Sequence, residues 1–109
     1  YYGGNLPFWI SPTQVWVIPI GERHVNYANQ ISKTLNENKL RVELKDENET
    51  VSKKIREGEI QKIPYLLVVG DKEMGAESVR VRERGKGDSG EIKINKFLKK
   101  AIIELEIKN

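Results

Sequence analysis

The chain has no cysteine among its 109 residues. That absence removes disulfides, thiolate nucleophiles and Cys-based zinc sites together, and it fits a reducing compartment. Histidine occurs once, at His24, near the expected start of a helix, where a surface residue is expected rather than a metal ligand or general base. No apolar run approaches the ~20 residues of a membrane-spanning helix, and no signal-peptide pattern is present. The expectation is a soluble, cytoplasmic protein. Ser11, Ser32, Ser52, Ser78 and Ser89 lack a nucleophile-elbow setting, and the carboxylates alternate with Lys and Arg as on solvated faces. No catalytic residue is expected. The chain opens on Tyr1 rather than Met, and YYGGNLPFW reads as an excised piece of something longer.

What is present suits one domain with one substantial core. Gly3, Gly4, Pro7 and Pro12 punctuate residues 1–12, which read as an arm or linker ahead of a domain at 13–109. Phe8, Trp9 and Ile10 should pack either on the domain's own core or on a neighbouring domain. A strand is expected at 14–20, a helix at about 22–38 with Val25, Ala28, Ile31 and Leu35 at helical spacing, and a strand at 40–44. This is a βαβ unit with parallel strands. Asn48 and Thr50 are candidate caps for a helix at 51–62, whose apolar stripe is thin. Residues 65–69, bounded by Pro64 and Gly70, have the profile of a doubly buried strand. DKEMGAE can then turn the chain into a strand at 78–84. A short strand is expected at 91–94 and a last helix capped by Asn95. The sum is an α/β fold, a mixed five-stranded sheet flanked by three helices.

Net charge is only +3, from 19 Lys and Arg against 16 acids, so distribution matters more than total. Arg80, Arg82 and Arg84 recur at every second position, which would put them on one strand face with Val79 and Val81 on the other. Such a row suits phosphates or the acceptor edge of guanine; equally, it suits an edge strand kept charged against aggregation. Gly85, Gly87 and Gly90 spell GxGxxG, but no helix follows to receive a pyrophosphate, so a hairpin loop is expected. Lys53, Lys54, Arg56 and Lys86 complete a basic set interleaved with Asn48, Thr50 and Glu73. Arginine, asparagine and glutamate can together read splayed bases of a single-stranded RNA loop. On this chemistry the alternative is a generic interaction domain.

Three stretches carry a resemblance: LPFWISPTQVWVIPI at 6–20, KKIREGEIQKIPYLLVVGDKE at 53–73 and SVRVRERG at 78–85. Together they resemble the C-terminal anticodon-binding domain of threonyl-tRNA synthetases, class II enzymes, over essentially the whole chain. The resemblance implies binding of the anticodon stem-loop of threonine tRNA, reading the G and U that threonine anticodons share, in support of aminoacylation. It carries base contacts onto Asn48, Arg56, Glu73 and Arg82. The loop reads ENET where the family has RNEK, so Thr50 stands in place of a lysine contact; Lys54 and Arg84 are implied backbone contacts. The fragment itself would need no cofactor, while an ATP-dependent ligase core using ATP, magnesium and zinc would precede it in a homodimeric parent. The alternative is an accessory or protein-interaction domain of the same fold that does not read tRNA.

Overall fold

A computed structural model describes residues 7–107. Residues 1–6 of the expected arm lie outside the described residues. Five strands, β1 (Val15–Pro19), β2 (Val42–Leu44), β3 (Tyr65–Val69), β4 (Ser78–Glu83) and β5 (Gly87–Lys93), form one sheet in the order β2-β1-β3-β4-β5. The first three are parallel, and β4 and β5 are antiparallel to their neighbours. Four helices accompany them: α1 (Val25–Glu37), α2 (Val51–Ile60), α3 (Asp71–Ala76) and α4 (Ile94–Ile107).

The helices divide between the two sheet faces. On one, Ala28, Ile31 and Leu35 of α1 and Phe97 and Ala101 of α4 pack with Val15, Val17, Tyr65, Leu67, Val69, Val79 and Val81. Tyr65 is gripped edge-on by Phe8 and Phe97, with ring centroids 5.5 and 5.2 Å away. Its hydroxyl donates to Glu104, and burial, then that bond, pushes its pKa well above the usual 10.0. On the other face α2 covers the sheet: Val51 and Ile55 pack against Trp16, Ile18, Leu66 and Val68. The thin stripe of α2 suffices because Gly58 lets the helix come close. A Cβ there would lie 2.5 Å from Leu66 Cδ2 and 3.2 Å from Trp16 Cε3.

Of the two settings expected for Phe8, the structure shows the domain's own core: Phe8 is buried there, and the 3₁₀ turn Phe8–Ile10 packs on α4. Three features differ from the sequence reading. The DKEMGAE stretch is the helix α3 rather than a turn, started by the Glu73 side chain accepting from the Gly70 N–H. β5 begins at Gly87, four residues before its expected start, because a bulge where Arg82 pairs with Asp88 and Val81 with Gly90 absorbs the glycines. The last helix opens at Ile94, so Asn95 lies inside its first turn instead of capping it.

Candidate nucleic-acid interface

Parallel order puts the β1–α1, β2–α2 and β3–α3 connections at one end of the sheet, and α2 runs from that end down the face it covers. Residues paired across antiparallel strands share a face. Val68 faces Arg80 and Leu66 faces Arg82, so the apolar row under α2 continues onto β4 as two arginines. No helix covers them among the described residues. The open half of the sheet beside α2 therefore carries a row of two arginines, with Glu91 and Asp88 of β5 opposite them.

The arginines here are not equivalent. Arg80 donates from Nε and Nη2 to the same Asp88 oxygen, at 3.1 and 2.7 Å, and Asp88 also accepts from the Gly90 N–H at 2.9 Å. Those bonds hold the Asp88 carboxyl below its ordinary range and raise the Arg80 guanidinium above its own. Arg82 donates only from Nη2, to Glu59 of α2 at 3.3 Å; its Nε is cut off from solvent and has no acceptor. Arg84 lies just past the strand, where its Nη1 donates to the Lys62 carbonyl at 3.0 Å and fastens the end of α2 to the hairpin. Between α2 and the β4–β5 hairpin lies a groove of ≈ 580 Å³, lined by Glu59, Lys62, Leu66, Arg82, Arg84 and Gly87 among others.

The remaining expected site residues separate into exposed and structural ones. Arg56 is exposed on α2, with no ion pair among the described residues. Asn48 is exposed in the β2–α2 loop and borders a hollow of ≈ 480 Å³ that Ile20, Val25 and Lys54 also line. Thr50 is the N-cap of α2, its hydroxyl accepting from Lys53 N at 3.2 Å. The residue that departs from the family pattern thus starts the helix that carries Arg56. Glu73 is only 6 % exposed, and its Oε1 accepts from Gly70 N at 2.8 Å. Lys54, expected at the RNA backbone, is 6 % exposed, and its ammonium donates to the Lys45 carbonyl at 2.8 Å, tying α2 to the loop before it. His24 is not the surface residue expected. It is buried, Nδ1 accepts from Gly21 N at 3.0 Å, and Nε2 lies 2.8 Å from Asp71, so it staples the β1–α1 turn to α3.

Glu59 and Asp88, the carboxylates that hold the arginines, were not singled out by sequence reasoning. Each sits in a segment dense with alternating charge, and only the tertiary pairing marks it. Among the described residues no group of three or more His, Cys, Asp or Glu could hold a metal ion. The arrangement offers donors on a rigid surface, which suits binding.

A family model described as an anticodon binding domain matches residues 14–104. The chain belongs to this family. This anticodon-binding domain is 51% identical over 100 residues to a threonine–tRNA ligase of Sulfurihydrogenibium, a match that takes in 92% of the chain and 16% of the relative. Against the same enzyme of Desulforamulus reducens it is 50% identical over 109 residues, 100% of the chain and 17% of the relative. The chain thus spans about a sixth of the length of the curated relatives it matches. Among solved structures it resembles the RNA binding domain of threonyl-tRNA synthetase from Cryptosporidium parvum, with a TM-score of 0.85 and 31% identity over 92% of this chain and 25% of that one. The prolyl-tRNA synthetase of the same organism superposes with a TM-score of 0.83 at 27% identity, over 94% of this chain and 22% of that one. The mixed five-stranded sheet expected from the sequence is the fold of these domains.

Proposed function

We propose that this domain binds the anticodon loop of threonine tRNA as one part of a threonine–tRNA ligase, and that Arg56 and Arg82 make the discriminating contacts. One observation carries the reading: the open face of β4 presents Arg82 directly beside α2, which carries Arg56, along a groove of ≈ 580 Å³. A planar guanidinium meets the O6 and N7 of guanine with two parallel bonds, and this is the commonest specific protein–base contact. The exposure of Asn48, at the end of the sheet where α2 starts, supports a base contact there, whereas Glu73, 6 % exposed and accepting from Gly70 N, holds the neighbouring start of α3. Arg80 and Arg84 supply positive field around them. Lys54 and Thr50 act on the RNA only through the position of α2.

The domain does no chemistry in this reading. Amino-acid activation with ATP and magnesium, and a zinc site, belong to a catalytic core elsewhere in a homodimeric cytoplasmic parent. The test is binding of this chain to a threonine anticodon stem-loop and to the same stem-loop with its G and U replaced, at two salt concentrations. Phosphate contacts are common to both RNAs and weaken with salt, so the preference for the threonine loop should persist when salt is raised. Equal affinity for the two loops would overturn the reading.

A further inference from the structure

We propose that Glu59 is a charge filter on Arg82: it lets a neutral base edge with two acceptors displace it and turns phosphate away. This rests on the base-reading role proposed for Arg82, and it names what makes that arginine choose a base over the RNA backbone.

The Nε–H and Nη2–H of an arginine form a side-on fork that matches two neighbouring acceptors. On Arg80 both arms are engaged by Asp88, which a backbone N–H holds in place. On Arg82 the fork is half-filled. Glu59 takes Nη2 at 3.3 Å, and Nε has no acceptor. A buried donor without a partner is an unfavourable state, relieved when the guanidinium turns outward to an incoming pair of acceptors as Glu59 leaves. The Glu59 side chain is 54 % exposed and makes no other ion pair among the described residues, so it is free to swing into solvent. The second carboxylate in the groove is committed: Glu83 is held by Lys86 at 3.1 Å and by Lys100 at 2.9 Å. Lys62 and Arg84 are the remaining charged residues lining the groove.

Asp88, paired opposite Arg82 on β5, is taken up by Arg80, so among the described residues Glu59 is the carboxylate at the Arg82 fork that no other cation holds. A phosphate and guanine O6/N7 present similar acceptor spacing, but only phosphate brings a charge of the same sign as the displaced carboxylate. Repulsion by Glu59 acts against phosphate and leaves the neutral base edge nearly untouched. Arg82 with Glu59 is selective; Arg82 alone would be a general anion site.

The experiment measures affinity and its salt dependence for the threonine stem-loop and its G,U-replaced counterpart, using the wild-type chain, Glu59→Gln, Glu57→Gln, Arg82→Ala and the Arg82→Ala/Glu59→Gln pair. Glu57→Gln removes the same charge from the same helix, away from the Arg82 groove. Glu59→Gln should tighten binding of the replaced loop by roughly two- to fivefold, the size of one exposed ion pair, with a smaller gain for the threonine loop. Its salt slope should steepen by about 0.7, one added single-strand phosphate contact. Both effects should vanish in the Arg82→Ala background. The proposal is overturned if Glu57→Gln does the same, if the effect survives loss of Arg82, or if Glu59→Gln leaves the preference between loops unchanged. Where Arg82→Ala lowers the preference and Glu59→Gln does not, the filter alone is wrong. Where Arg82→Ala leaves the preference intact, base reading by Arg82 fails and the filter with it.

Discussion

Replacing glycine by alanine at two helical positions should change stability in opposite directions. At Gly75 in α3 a Cβ would meet nothing within 4 Å, so only the lower backbone entropy of the unfolded chain and the better helix propensity count. Gly75→Ala should stabilise the fold by roughly 0.5–1 kcal/mol. At Gly58 the same Cβ would sit 2.5 and 3.0 Å from the two methyls of Leu66 and 3.2 Å from Trp16 Cε3. Leu66 and Trp16 are themselves buried under α2, so the methyls cannot simply withdraw. Overpacking of this kind costs about 1–3 kcal/mol. The propensity gain is common to both sites, and the difference between the variants isolates the steric cost, again about 1–3 kcal/mol. At roughly 4 °C per kcal/mol for a domain of this size, melting temperatures should differ by about 4–12 °C. Urea unfolding of both variants against wild type measures it directly. If Gly58→Ala stabilises as much as Gly75→Ala, α2 is not seated on the sheet as described, and neither Arg56 nor Glu59 has the position assigned to it.

Lys54→Met keeps the buried stem but loses the bond to the Lys45 carbonyl; it should cost about 1.5–3 kcal/mol in urea unfolding while leaving RNA affinity of the folded protein within about twofold. A fall in affinity across all RNAs with no loss of stability would restore the phosphate-contact role. Glu83 gives a pH signature: burial opposes its charge, but bonds from Lys100 and Lys86 hold its pKa below the ordinary 4.5. A depressed carboxylate contributes stability above its unfolded value, and that contribution is lost as pH falls through the folded value. The melting temperature should therefore drop below about pH 4.5. Glu83→Gln should lose less than wild type over that interval, and parallel curves for the two proteins would refute the assignment.

Strand and helix periodicity made most of the fold legible. Tyr65–Val69 is buried at every position, as its unbroken apolar run implies, and Ala28, Ile31 and Leu35 hold α1 to the sheet, with Tyr27 rather than Val25 packed beside them. The missed elements are short or glycine-rich. α3 has six residues, and its start depends on one side chain, Glu73, reaching back to a glycine N–H. β5 carries Gly87 and Gly90 at positive φ, a composition that reads as loop until a bulge accommodates it. Within the site, the alternation of Arg80 and Arg82 against Val79 and Val81 was visible because a strand's period is fixed. The burial of Lys54 and Glu73 was not, since each looks like surface charge in its own segment and its partner is a backbone group. The division of labour among the arginines was also hidden, because Asp88 and Glu59 are set against them by a bulge and a helix crossing.

The most direct measurement of the central claim is the preference of the chain for a threonine anticodon stem-loop over its G,U-replaced counterpart, compared between wild type and Arg82→Ala. Arg82→Ala should lose about 1–3 kcal/mol on the threonine loop, roughly 5- to 150-fold in affinity, and little on the replaced loop, so that the preference narrows by that factor. An equal loss on both loops would make Arg82 a phosphate-binding cation and would contradict the account.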